Sequence, residues 1–277
     1  MSVSVIVVTY EWPKALERVL ESLSRQTVMP LEIIVTDDGS SPDTRAVVDA
    51  WQEKMECELH YLWQPDEGFR AARARNRGVA VSHGEYMVFL DGDCLVFPDF
   101  VERHQRLAEM GCQVVGNRIL MDEALSRRVL EGKESPCRWS VLRWLKGRVS
   151  GEINRLLPMV RLGEGQWRKR RALKWKGAQS CNLGVWRRDF LAVNGFDENF
   201  SGWGHEDADL VVRLMGSGII RKDGHFSVPV LHLWHRENTR ELEPENLQRL
   251  NDVLRGEREL VALSGVANHI QDSENGG

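Results

Sequence analysis

No stretch of about 18 apolar residues occurs in this 277-residue chain, so no segment is expected to span a bilayer. The N-terminus carries no basic flank and no cleavage site. Its apolar run from Val5 to Val8 is too short for a signal core, so no secretory leader is expected. Cysteine is sparse and odd in number. Cys57, Cys94, Cys112, Cys137 and Cys181 form no C-x-x-C pair, which argues against a zinc cluster and fits a reducing compartment. Strong positive charge is also missing. The formal net charge is −4, so a general nucleic-acid binder is not expected. No internal repeat is found.

What is present is enough apolar residue, 42%, for a packed core without disulfides. Val3–Val8 is β-branched and apolar and reads as a strand buried on both faces. A helix opens at Pro13, with Leu16, Val19, Leu20 and Leu23 at helical spacing. Further strands are expected at Leu31–Thr36, Leu59–Trp63 and Tyr86–Leu90, with helices over Pro42–Met55 and Arg70–Val81. Strands alternating with helices predict an α/β fold with a mostly parallel sheet. From Arg138 to Lys176 the texture changes to twelve Lys or Arg against two acids, Glu152 and Glu164, with Trp139, Trp144, Trp167 and Trp175. Regular structure resumes over Gly177–Trp186. A helix is expected after His205-Glu206-Asp207, a strand ending near His232, and an amphipathic helix over Pro244–Leu263, while the last ten residues read as disordered.

The carboxylate-rich turns follow strand C-termini, the edge at which open α/β sheets bind ligands. In Asp91-Gly92-Asp93, two carboxylates two apart can meet one hard cation, directly or through water, and magnesium and manganese favour such ligands. Gly92 permits close backbone approach. In Asp37-Asp38-Gly39-Ser40, a carboxylate can accept from a base N–H or a ribose hydroxyl. Gln64 to Arg77 places four arginines at a helix start, facing an anion or solvent. In Trp203-Gly204-His205-Glu206-Asp207, a flat ring and adjacent carboxylates suit a sugar, and a carboxylate here can deprotonate an attacking hydroxyl. His232-Leu233-Trp234-His235 ends an apolar strand. In an extended strand the two histidines would point to opposite faces, so one at most is expected to ligate a metal unless the strand bends.

Taken in order, V-I-V-V-T-Y, D-D-G-S, D-E-G-F-R-A-A-R-A-R-N, D-G-D and N-G-F-D-E-N-F-S-G-W-G-H-E-D resemble family-2 glycosyltransferases of the GT-A fold, over roughly residues 3 to 240. The last motif also resembles a C-terminal region of β-galactosyltransferases and bacterial chondroitin-type polymerases. The resemblance implies a Rossmann-like sheet flanked by helices, a basic helical insertion and a C-terminal helix. It implies a catalytic domain over 1–240, with a nucleotide-binding half at 1–120, the insertion at 138–176 and an acceptor half at 177–240. Residues 241–277 would be a helix and tail. Thr9, Tyr10, Glu11, Asp38, Arg75, Asp91, Gly92 and Asp93 would line the nucleotide site. Asp91, Asp93 and His232, or His235 in its place, would hold Mn2+ or Mg2+. Asp207 would be the base, Glu206 would bind a sugar hydroxyl, and Trp203, Gly204 and His205 would meet the acceptor. His205 departs from relatives, which often carry glycine there.

The implied activity is an inverting, metal-dependent hexosyl or N-acetylhexosaminyl transfer from a nucleotide sugar, with uridine diphosphate leaving. The expected acceptor is a glycan or glycolipid in lipopolysaccharide or capsule synthesis. Alternatives are a retaining transferase, suggested against by Glu-Asp where the retaining branch tends to carry Glu-Asn, and an inactive glycan-binding partner. A nucleotidyltransferase should show a glycine-rich, lysine-bearing loop where this chain has Tyr10-Glu11-Trp12-Pro13. The basic, tryptophan-rich segment suits an anionic bilayer surface. The expected location is therefore cytoplasmic, peripheral on the inner membrane face. Trp139, Leu142, Leu145, Val149, Ile153 and Leu156 recur at helical spacing, and Arg168, Lys169, Arg170 and Arg171 are the cations expected to meet lipid.

Overall fold

The computed structural model describes residues 1–156, 160–236 and 241–275. Residues 157–159 of the expected insertion, 237–240 of the expected acceptor half and the two terminal glycines lie outside the described residues. The first half alternates as expected: β1 (Val3–Thr9), α1 (Pro13–Leu23), β2 (Glu32–Asp37), α2 (Pro42–Gln52), β3 (Glu58–Trp63), α3 (Ala71–Val81) and β4 (Tyr86–Asp91). Then come β5 (Cys94–Val96), α4 (Phe100–Leu107), β6 (Cys112–Val115), β7 (Asn117–Leu120), α5 (Glu123–Leu130) and α6 (Val141–Val149). The second half holds β8 (Asn182–Trp186), α7 (Arg187–Ala192), α8 (Glu206–Gly216), β9 (Ile220–Asp223), β10 (Pro229–His232), α9 (Glu243–Leu254) and α10 (Val266–Asn275).

The main sheet has the order β3-β2-β1-β4-β8-β6-β9. β3, β2, β1 and β4 are mutually parallel, and β8 runs antiparallel to both β4 and β6. Every residue of β1 and β2 is buried, because helices cover both faces. Side chains alternate between them. Val5, Val7, Ile33, Val35 and Val88 pack with Leu16, Val19, Leu20 and Leu23 of α1, whereas Ile6, Ile34, Met87 and Phe89 pack with Phe190, Leu210 and Leu214. The chain crosses from β1 outward to β3 and then returns to β4 on the other side of β1. That reversal opens a crevice at the strand C-termini, where Thr9, Asp37 and Asp91 end their strands.

A second sheet, β5-β10-β7, pairs β10 antiparallel to β5 and parallel to β7. Its cluster joins Leu95, Phe97, Ile119, Leu231 and Leu233 with Trp144 of α6 and with Ile153. This sheet carries Asp93 just before β5 and His232 at the end of β10, so it forms the second wall of the crevice.

Three expectations need correction. The helix expected over Pro244–Leu263 ends at Leu254, because Gly256 turns left-handed (φ +73°) and Arg258 folds back onto Asp197 and Asp209. The last ten residues are not wholly irregular: α10 is helical, with Val266 and Ile270 against the core. In the basic segment the helical spacing lasts only through α6. Gly151 (φ +82°) breaks it, and Ile153 bridges to Met121 instead. Arg168 is fully buried, donating to the carbonyls of Leu162, Asp223 and His225 at 2.7–2.8 Å. Lys169 is paired with Glu109. Neither is free to meet lipid, whereas Arg170 and Arg171 are exposed.

Candidate active site

The crevice is a cleft of about 720 Å³ whose walls come from both halves of the chain. Thr9, Tyr10, Asp38, Arg75, Asp91, Gly92 and Asp93 line it from the first half. Trp203, Gly204, His205, Glu206, Asp207, His232 and His235 line it from the second. Thus every expected site residue except Glu11 is in its wall.

The Asp37-Asp38-Gly39-Ser40 turn divides its labour. Asp37 is structural: it accepts from Gly39 N (3.1 Å), Ser40 N (2.7 Å) and the Tyr61 hydroxyl (2.6 Å). Gly39 is required, since its φ is +107° and a Cβ would lie 2.5 Å from Asp66 Cα. Asp38 faces the cleft. Burial raises its carboxyl, and its two oxygens accept from Gln64 Nε2 (2.6 Å) and Arg70 N (2.7 Å). Glu11 braces this turn from behind. Its N–H donates to Ser40 Oγ (2.8 Å), and its carboxylate accepts from Ser41 N (2.6 Å). Glu11, expected at the nucleotide, is exposed and holds this turn. Tyr10 stands exposed at the lip, its hydroxyl donating to Asp66 at 3.0 Å.

Beyond β4 the two aspartates part company. A Cβ at Gly92 would lie 2.9 Å from Thr9 Oγ1, so only glycine lets the turn sit on β1. Asp91 turns to Arg75, 3.0 Å away, and burial lifts its carboxyl to about 6. Asp93 turns to the histidines. Its Oδ2 lies 3.5 Å from His232 Nε2 and 3.3 Å from His235 Nε2, and the two rings are 5.1 Å apart. Here the bend that the expectation allowed for is present. β10 ends at His232, so the chain bends and brings His235 back to the same carboxylate. Burial opposes ionisation of Asp93, but His235 and His232 hold its carboxyl below the ordinary range. Burial lowers His232, while the bond to Asp93 raises His235.

One carboxylate oxygen and two imidazole nitrogens facing each other are a donor set for a divalent cation. Cys94 Sγ also lies within 4.8 Å of Asp93 and His232 ligand atoms. Burial keeps that thiol protonated, and sulfur is a poor partner for a hard ion, so Cys94 is set aside. Neither Asp91, expected among the ligands, nor His235 belongs to the Asp93–Cys94–His232 group among the described residues; His235 joins through its 3.3 Å contact with Asp93.

Glu206 and Asp207 open α8, where the helix dipole favours carboxylates. Glu206, in the cleft wall, faces Arg75 at 3.4 Å. Burial, then repulsion from Asp207, raises it to about 7. Burial opposes charge on Arg75, but Asp91, Asp207 and Glu206 together hold its pKa above the usual value. Arg75, expected on the nucleotide, is thus committed to carboxylates of both halves. Asp207 is 3.8 Å from Arg75, beyond hydrogen-bond reach, and its Oδ1 is buried in the cleft wall with no hydrogen-bond partner among the described residues. His205 precedes the helix at φ +71°, a strained value for a non-glycine residue, 3.8 Å from Glu243.

Sequence reasoning missed several wall residues. Trp12, Trp175 and Trp234 add aromatic faces, and Glu243 enters from α9. Arg118 of β7 makes no ion pair among the described residues and faces the two histidines. Trp234 sits inside a motif already singled out. Arg118 has no local signal, since only the β7–β10 pairing brings it there.

The sequence model of glycosyl transferase family 2 matches residues 4–152, about half of the chain, and one described as the N-terminal domain of galactosyltransferase matches residues 166–224. Validoxylamine A glucosyltransferase of Streptomyces hygroscopicus subsp. limoneus is 31% identical over 229 residues, covering 78% of this chain and 48% of the relative. Hyaluronan synthase of Pasteurella multocida is 28% identical over 237 residues, 79% of this chain and 23% of the relative. The chain therefore spans about half the length of the first and about a quarter of the second. Among solved structures, GalNAc-T7 with UDP, GalNAc and Mn2+ superposes with TM-score 0.62 at 17% identity, over 91% of this chain and 48% of that one.

Proposed function

We propose a reaction from one premise: the chain belongs to glycosyl transferase family 2 and is a glycosyltransferase. The reaction is inverting transfer of a sugar from a uridine diphosphate sugar to a glycan hydroxyl, with a divalent cation. The observation that carries it is Asp207 Oδ1, a buried carboxylate oxygen 3.8 Å from Arg75 with no hydrogen-bond partner among the described residues, in one cleft with Asp93, His232 and His235.

Asp38 would accept from the base or ribose, and Tyr10 offers the base a ring. Asp93, His232 and His235 would hold the cation, which when bound would neutralise charge on the departing diphosphate. Two imidazoles favour Mn2+ over Mg2+, which prefers an all-oxygen shell. Arg118 would add a fixed cation for the diphosphate. The acceptor sugar would lie against Trp203. As its hydroxyl oxygen bonds to the anomeric carbon, Asp207 Oδ1 takes the proton. The bond from the anomeric carbon to the diphosphate oxygen breaks on the opposite face, and the leaving group keeps the electron pair. One displacement inverts the configuration. The relatives include a polysaccharide synthase, and the proposed acceptor is a lipid-linked glycan in polysaccharide or lipopolysaccharide synthesis, met at the cytoplasmic membrane face.

A screen of nucleotide sugars for Mn2+-dependent release of nucleoside diphosphate tests the donor. Asp93→Ala and excess chelator should each abolish release while the fold survives; normal turnover in either defeats the metal role. NMR of the product's anomeric proton tests the stereochemistry, and an α linkage from an α donor refutes inversion.

A further inference from the structure

Helix α6 points its apolar side the wrong way for a soluble surface. Four large apolar residues stand in solvent: Val141 (76% exposed), Leu142 (78%), Leu145 (48%) and Val149 (89%). At 3.6 residues per turn they fall within about 100° of arc, a single stripe. Trp144 and Gly147, which are buried, lie on the opposite side, and Trp144 joins the small sheet's core. The stripe is therefore not needed for packing. Lys146 and Arg148 flank it, one on each side, within about 40° of its edges. Both are exposed, and neither makes an ion pair among the described residues. By contrast the inner cation of the helix, Arg143, is spent on Glu152 and on the Trp139 face, 3.7 Å away. From Arg138 to Leu156 five cations face one acid, Glu152, which Arg128 and Arg143 already hold.

An outward apolar stripe between two free cations is the pattern of a helix lying in a bilayer interface, with its apolar side among acyl chains and its cations at anionic headgroups. We propose that α6 docks the enzyme on an anionic phospholipid bilayer through Val141, Leu142, Leu145 and Val149, with Lys146 and Arg148 at the headgroups. The cation pair selects this occupant over a second copy of the chain, because two such stripes face to face would bring like charges together. The placement serves the chemistry. α6 lies on the small sheet that carries Asp93 and His232, so one helix, about 10 Å across, separates the docking face from the sheet that walls the cleft. For its purpose the inference rests on the proposed lipid-linked acceptor; its test reads membrane binding alone.

Full-length chain is sedimented with vesicles of phosphatidylcholine alone and of equal parts phosphatidylcholine and phosphatidylglycerol. Binding to the anionic vesicles is expected, falling as salt rises. Leu142→Ser with Val149→Ser should weaken it about tenfold or more, with unchanged thermal stability, since both side chains stand in solvent. Lys146→Glu with Arg148→Glu should abolish the salt-sensitive part. Leu263→Ser, equally exposed but remote in sequence, should change nothing. Asp207→Asn should bind vesicles like wild type, which separates a failure of the catalytic reading from a failure of docking. The proposal is overturned if wild type stays in the supernatant at low salt or if the Leu142/Val149 variant binds undiminished. It is also overturned if the wild type is a dimer that this variant splits and that ignores vesicles.

Discussion

At the scale of single residues, the site turns on oxygen atoms with and without partners. Asp37 and Asp38 are adjacent and chemically identical, yet one is consumed by its own turn and one looks into the cleft. Glu206 and Asp207 divide in the same way around Arg75. Asp207→Asn keeps the shape but removes the proton acceptor, so turnover should fall on the order of 10²-fold or more while donor binding is unchanged. Single-turnover rates and equilibrium binding of the nucleotide separate the two, and retained turnover would transfer the role elsewhere. His205 yields a second prediction. Its left-handed backbone costs a non-glycine residue about 1 kcal/mol, and glycine would be free of that strain. His205→Gly should therefore raise the melting temperature by about 2–4 °C and raise the acceptor KM. A lower melting temperature would show that the imidazole's contact with Glu243 outweighs the strain.

At the scale of elements, legibility followed burial pattern. β1, β2 and β4 were readable because a strand covered on both faces is a continuous apolar run, and α1 because its apolar residues keep one stripe. Asp38, Asp91 and Asp93 were legible as strand-end carboxylates, though their division of partners was not. What was hidden depended on contacts distant in sequence. Nothing near His235 announces that β10 stops at His232 and folds it back, and nothing near Arg118 announces the β7–β10 pairing. The basic segment misled most, since charge alone cannot separate a solvated arginine from a buried one. Arg168 satisfies carbonyls of two segments, Leu162 and Asp223 to His225, and so ties the insertion to β9. Arg168→Ser should strand those carbonyls and cost about 3 kcal/mol in urea unfolding. Arg170→Ser and Arg171→Ser, on the exposed side, should stay within about 0.5 kcal/mol. Equal stabilities for the three variants would contradict the buried role.

At the scale of the whole molecule, Arg75 joins the halves, because its guanidinium faces Asp91 at the end of β4 and Glu206 and Asp207 at the start of α8. One cation against three carboxylates, Glu206 buried and Asp91 and Asp207 half-buried, leaves an excess of negative charge in the cleft, and Glu206 bears it by holding its proton up to about pH 7. In the unfolded chain Glu206 releases that proton near its ordinary value of 4.5. Between those values the folded state binds the proton and the unfolded state does not, so this group's contribution to stability falls as pH rises from about 4.5 to about 7 and is flat above. The full effect is at most about 3 kcal/mol, from the size of the shift. Glu206→Gln keeps the side-chain shape and removes the titration. In urea unfolding without divalent metal, the variant should gain on wild type as pH rises from 5 to 8, with the difference levelling near neutrality. A wild-type-to-variant gap that is constant across that range would mean that Glu206 is already ionised at pH 5, with Arg75 compensating its charge in full.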